Sequence, residues 1–131
     1  MLVLLAAWIG LMVARFSFAP RGGDERAILR SLALGGRSAI DLSDLALVRW
    51  RANRLAEAAV LYQAAAEIDP DSPYFPANQA IVLASLGRCD EADTASREAQ
   101  RRHECNAGFR GDTVVRTARE AVLGCFRREQ R

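Results

Sequence analysis

Side chains that could take part in chemistry are few in this sequence. The chain has one histidine and three cysteines, and His103, Glu104 and Cys105 stand next to one another. Adjacent side chains on a helix point about 100° apart, so these three do not converge on one metal ion. No C-x-x-C or H-x-x-x-H spacing supplies further ligands, and a Cys105–His103 nucleophile pair lacks a third group to orient it. The pattern predicts neither a metal site nor a catalytic cysteine.

Other catalytic and cofactor motifs are also missing from the 131 residues. The sequence contains no phosphate-binding glycine loop, no G-x-G-x-x-G and no zinc-protease helix, so we expect no cofactor and no enzymatic activity. The formal net charge is +2, and charges of both signs are interleaved along the chain. A basic block that would bind nucleic acid is therefore not indicated.

The composition indicates that helices are the elements that position the functional residues. Half of the residues are apolar and only 7% are aromatic, with alanine and leucine dominant, which predicts an all-α chain. Apolar periodicity, capping residues and the breakers Pro70 and Gly87 predict helices over 40–52, 55–68, 73–86, 90–103 and 113–128.

The segment 1–19 differs from the rest of the chain. It has thirteen apolar residues, 2–14, before its first charge at Arg15. A cleaved signal would begin with basic residues, and the small-x-small site of this segment is followed by Pro20. We therefore favour a single-pass membrane anchor that is not cleaved, with a cleaved signal and a core helix of the folded body as alternatives.

The side of the membrane stays open at this point. The arginines all follow the apolar run, which favours a cytoplasmic body under the positive-inside tendency. A short anchor followed by a small helical module is a design common among periplasmic proteins, and the three cysteines also suit an oxidising compartment.

An internal repeat relates the second and fourth predicted helices at an offset of 34 residues. Arg54, Glu57 and Ala58 correspond to Arg88, Glu91 and Ala92, and Ala65 corresponds to Ala99 in the stretches "NRLAEAAVLYQAAAEIDP" and "NQAIVLASLGRCDEADTASREA". Antiparallel helix pairs with this period resemble the tetratricopeptide repeat family. The resemblance implies a short α-solenoid of helix pairs.

The resemblance divides the chain into five segments. These are the anchor or uncleaved signal at 1–19, a linker and degenerate helix at 20–38, copy one at 39–70, copy two at 71–104, and a loop with a capping helix at 105–131.

Residues at the family's packing positions are expected to hold the helices together. They are Leu45, Ala58, Tyr62, Ala65, Pro70, Ala80, Gly87, Ala92 and Ala99. Copy two departs from the family pattern, because Pro76 takes the place of a large aromatic residue and Ser96 stands at the position of Tyr62. We therefore expect copy two to pack more loosely.

In this family the first helix of each repeat lines a concave groove that binds a protein or peptide. The corresponding positions here are Asp44, Leu47, Trp50, Arg51, Tyr74, Asn78, Ile81 and Ser85. Packing of Trp50 against the second helix is the alternative to its exposure in the groove. The resemblance implies an adaptor or scaffold tethered to a membrane; a structural subunit of a membrane complex, or a self-associating homo-oligomer, is the alternative.

The cysteines can be placed by counting along the predicted helices. If the last helix packs antiparallel to the fourth, a rise of about 1.5 Å per residue brings Cys125 within about one turn of Cys89. By the same rise, Cys105 lies about 30 Å from Cys125, too far for a disulfide. We predict a Cys89–Cys125 disulfide in an oxidising compartment, with Cys105 free. Three reduced thiols in the cytoplasm are the alternative.

Overall fold

A computed structural model describes residues 38–106, 108 and 112–131. These residues form five α-helices and no strand, which confirms the all-α prediction for this part of the chain. The helices are α1 (Ala39–Arg51), α2 (Leu55–Ile68), α3 (Tyr74–Ser85), α4 (Cys89–Cys105) and α5 (Asp112–Glu129). The predicted membrane anchor at 1–19 and almost all of the degenerate helix segment at 20–38 lie outside the described residues.

The turns within the two helix pairs have the same geometry. Asn53 follows α1 with φ 59°, and Gly87 follows α3 with φ 76°. Both positions are left-handed, a conformation that glycine adopts readily and asparagine tolerates. The amide of the next residue returns to the helix in each case, Arg54 N to Arg49 O at 2.8 Å and Arg88 N to Leu83 O at 3.0 Å. Each of these features is repeated 34 residues later.

The beginnings of the two pairs are also alike. The Ser38 hydroxyl accepts a hydrogen bond from Ile40 N at 3.1 Å before α1. The Ser72 hydroxyl accepts one from Tyr74 N at 3.4 Å before α3. Serine favours this position because its oxygen satisfies an amide that has no partner within the helix.

The junction between the pairs is held by Arg102 from the far end of α4. Its Nη1 donates to the carbonyl oxygens of Ala66, Asp69 and Ser72 at 3.1, 3.2 and 3.2 Å. The Asp69 carboxylate accepts weaker bonds of 3.3 Å from the amides of Asp71 and Ser72. Arg102 thereby satisfies the carbonyl of Ala66 in the last turn of α2 and two carbonyls of the connection that follows.

Each helix packs against its neighbours in the chain, and α5 packs against both α3 and α4. The C-terminal part of α5 lies beside the turn between those two helices, where Arg128 Nη2 donates to Ala84 O at 3.0 Å. Cys125 on α5 is joined by a disulfide to Cys89 at the start of α4, with 5.6 Å between the Cα atoms. The helix α5 therefore runs parallel to α3 and antiparallel to α4.

The core consists mainly of small side chains that let the helices approach closely. Seven of the predicted packing residues are buried, namely Leu45, Ala58, Tyr62, Ala65, Ala80, Ala92 and Ala99. Pro70 and Gly87 are exposed, as their positions in turns require. Pro76 is fully buried in the first turn of α3, where proline is tolerated because no amide donor is needed.

Candidate functional site

The predicted groove residues of α1 differ in how exposed they are to solvent. Asp44 and Arg51 are exposed, whereas Leu47 and Trp50 are half-buried. The indole of Trp50 packs against the main hydrophobic core, which supports the packing alternative for this residue while leaving part of its surface accessible. The exposed groups among these four residues are therefore one carboxylate and one guanidinium.

The predicted groove residues of α3 are less uniform. Tyr74 is 41% exposed, but Asn78 is only 7% exposed and its amide donates to Tyr74 O at 2.9 Å. Ile81 packs partly against the main core, and the Ser85 hydroxyl donates to Ile81 O at 2.9 Å. Asn78 thus stabilises its own helix, and Tyr74 and Ser85 are the accessible groove residues of α3.

Tyr62 of α2 links the groove residues of the two helices. Burial raises the pKa of its phenol above the usual value; the nearby Tyr74 and Asp44 raise it further, and Arg51 lowers it. Three groove residues from two helices therefore lie within electrostatic range of one buried hydroxyl. The sequence indicated Tyr62 only as a packing residue, since its proximity to these residues depends on how α2 packs against α1 and α3.

The predicted groove positions recur between the two helix pairs. Asp44, Leu47 and Arg51 are spaced as one helical stripe on α1, and Asn78, Ile81 and Ser85 repeat that stripe on α3 at the offset of 34. The two stripes carry aliphatic, guanidinium, carboxylate, amide and hydroxyl groups, and the aromatic residues Trp50 and Tyr74 lie on the same two helices.

A cleft lies on the other side of α3 from the predicted groove residues. A cleft of about 340 Å³ is walled by α2 and α4, with residues of α3 such as Pro76, Gln79 and Leu83 as its floor. At about 100° per residue these floor positions lie roughly opposite the groove stripe. The groove and this cleft are therefore separate surfaces.

An ionic network borders this cleft. Glu98 accepts hydrogen bonds from Arg101 at 2.7 and 2.9 Å and from Arg102 at 2.7 Å. These bonds lower the pKa of the Glu98 carboxyl to about 2, and those from Arg101 have the largest effect. The role of Arg102 was not predicted, because its other partners are backbone carbonyls, which no side-chain pattern indicates.

The remaining candidate chemistry is limited in the described ranges. Cys105 is exposed and not in a disulfide, while Cys89 and Cys125 are joined. No group of three or more His, Cys, Asp or Glu side chains within 38–106 and 112–131 could hold a metal ion. In the same residues, no helix has both the length and the apolar character needed to cross a bilayer.

No protein-family model matches this chain, and no curated protein matches it significantly.

Proposed function

We propose that this chain is a tetratricopeptide-type adaptor that is tethered to a membrane by residues 1–19 and binds a protein or peptide in the groove of α1 and α3. In this proposal the helix pairs α1–α2 and α3–α4 are two repeats of a short α-solenoid, and α5 is its cap. In this proposal the chain binds a polypeptide and uses no cofactor, metal or nucleic acid.

The observation that carries the proposal is the recurrence of local geometry at 34 residues. Left-handed turns at Asn53 and Gly87, serine caps before α1 and α3, and the ion pairs Arg54–Glu57 and Arg88–Glu91 all recur at this offset. Independent helices would have no reason to share a period across turns, caps and surface charges. A repeated unit explains all three.

The groove suits a modest interface. Two repeats present fewer residues than a standard complex buries, so we expect less than about 1,200 Å² of total buried area and weak intrinsic affinity. Tethering to a membrane raises the effective concentration of the adaptor near a partner in the same membrane, which compensates for weak contacts.

The test is capture of the partner by the full chain in its native membrane, using crosslinking and identification of the captured protein. Arg51→Ala with Tyr74→Ala removes two exposed side chains at predicted groove positions. If these are anchors, capture falls about tenfold, as a loss of about 1.4 kcal/mol requires. Arg97→Ala on α4, whose side chain is 81% exposed, is the matched control. Equal capture by the groove variant and the control would contradict the groove assignment.

The alternative function is a structural subunit or a self-associating protein whose groove is filled within its own assembly. Light scattering after size exclusion on residues 21–131 separates the two. A stable monomer supports the adaptor, whereas an obligate dimer supports the structural alternative.

A further inference from the structure

The cleft beside copy two has a counterpart beside copy one. Its residues on α3 and α4 include Gln79, Leu83, Glu91, Thr94 and Ala95. Thirty-four residues earlier, Leu45, Arg49, Glu57, Val60 and Leu61 line a cleft of about 440 Å³ between α1 and α2. The two clefts are therefore the same feature of two related helix pairs.

The two clefts differ in their second wall. In copy two that wall is α2, through Gln63, Ala66 and Glu67. In copy one the lining among the described residues comes from α1 and α2, and Val60 is 65% exposed. The described residues thus leave open the place beside copy one that α2 occupies beside copy two.

Copy one also has the more apolar cleft. Leu45 takes the place of Gln79, Val60 that of Thr94, and Leu61 that of Ala95. Arg49, in place of Leu83, is the one exchange in the opposite direction among these positions. Covering apolar surface of this kind is favourable, because it removes that surface from water.

The repeat offset relates the second wall of copy two to a segment that precedes α1 in the sequence. Shifting the wall residues Gln63, Ala66 and Glu67 back by 34 gives Leu29, Leu32 and Ala33. These are more apolar than their counterparts, as is the cleft that they would face. The connection from this segment to α1, residues 35–38, has the same length as residues 69–72, which lead from α2 towards α3.

We propose that residues 26–34 of this chain dock as a helix in the cleft of Leu45, Val60 and Leu61, in the way that α2 packs beside copy two. The inference rests on the two-copy relation of the proposed function. Because the segment is joined to α1 by a short connection, its effective concentration at the cleft is high, which favours it over a second copy or a separate partner. Docking would fix copy one close to the N-terminal segment 1–19.

Crosslinking between engineered cysteines in the full chain tests this arrangement. In a Cys105→Ser background, Leu32→Cys with Leu61→Cys places one thiol on each proposed wall, and a short bismaleimide joins thiols that face each other. Ala66→Cys with Ala95→Cys is the matched pair in copy two, where both residues line the described cleft. Leu32→Cys with Arg97→Cys measures random collision.

We expect an intramolecular crosslink in the first two pairs and none in the third. A crosslink in the copy-two pair without one in the copy-one pair would overturn the proposal. Crosslinks formed only between chains would also overturn it, by assigning the cleft to a second copy. Because the readout involves no partner, its failure is distinct from failure of partner capture.

Hydrogen exchange on the chain without engineered cysteines provides a second measurement. We expect slow exchange in residues 28–34 and loss of that protection in Val60→Asp, because a carboxylate would then face the docked segment. Thr94→Asp, at the same position in copy two, should leave residues 28–34 protected. Fast exchange of this segment in the unmodified chain, or protection unaffected by Val60→Asp, would contradict docking in this cleft.

Discussion

The two helix pairs have the same turns and caps but differ in burial. In α1 four residues are buried, whereas in α3 eight are, because α3 contacts α2, α4 and α5 while α1 packs chiefly against α2 among the described residues. The loose packing expected for copy two is therefore not found along α3. Burial at a repeat position depends on the number of neighbouring helices as much as on the residue that occupies it.

Looseness does occur at one point of copy two. Tyr62 is 1% exposed and fills the space between helices in copy one, whereas its counterpart Ser96 borders a cleft of about 360 Å³ between α4 and α5. Pro76, the other departure from the family pattern, is buried without a comparable effect. The difference shows that loss of a large side chain leaves space, while a proline in a first helical turn is accommodated.

The largest effect should come from the disulfide, which copy one lacks. Cys89→Ser with Cys125→Ser opens a covalent loop with a sequence separation of 36, and we expect a loss of about 4 kcal/mol in the free energy of unfolding because the unfolded chain gains freedom. Denaturant unfolding of the full chain measures it. Cys105→Ser, at the exposed free cysteine, is the control, and an equal loss in that variant would contradict the assignment.

Removal of Arg102, which joins the two copies, should destabilise the protein less than removal of the disulfide. Arg102→Ala leaves three carbonyls at the junction without their cationic donor, and we expect a loss of about 2 kcal/mol in thermal or denaturant unfolding. Arg101→Ala is the neighbouring control, because Arg101 is exposed and shares the Glu98 carboxylate with Arg102. We expect little change there. Similar losses in both variants would show that the junction bonds are not the cause.

The two left-handed turns give a direct comparison of equivalent positions. Gly87→Ala should cost about 1 kcal/mol from backbone conformation alone, because a Cβ at this position meets no atom within 4 Å. Asn53→Ala should cost less, since asparagine already bears part of that conformational cost. Gly124→Ala within α5 is the control and should stabilise the protein. A cost at Asn53 above that at Gly87 would break the equivalence of the turns.

The smallest effect concerns pH and is confined to copy two. The folded-state pKa of Glu98, about 2, lies below its unfolded value of about 4.3. The contribution of this carboxylate is therefore complete above the unfolded value and is lost as the pH falls towards 2. The melting temperature of the unmodified chain should fall more than that of Glu98→Gln over this window. Parallel curves would contradict the network, whose carboxylate is about one-third exposed.

Local signals explain what could be predicted from the sequence. Ser38, Ser72, Pro70 and Gly87 act on the backbone within a few residues, so the predicted helix ends lie within about two residues of those observed. The pairing of Cys89 with Cys125 also needed only helix direction and rise per residue.

Properties that depend on packing between helices were harder to predict. Asn78 has the residue type of a groove contact, but its position on α3 turns its amide towards its own backbone. Tyr62 and Arg102 act across helices, one beneath the groove and the other on backbone carbonyls. No residue spacing in the sequence encodes such partners.

The most direct test of the central claim, that two repeated helices form one protein-binding groove, is site-specific photo-crosslinking in the native membrane. A photoreactive side chain is placed at Asp44 on α1, at Ser85 on α3 and, as control, at Arg97 on α4, all of which are exposed. We predict that the photoreactive side chains at positions 44 and 85 capture the same protein and that the one at position 97 does not. Capture by Arg97 alone, or equal capture from all three positions, would contradict it.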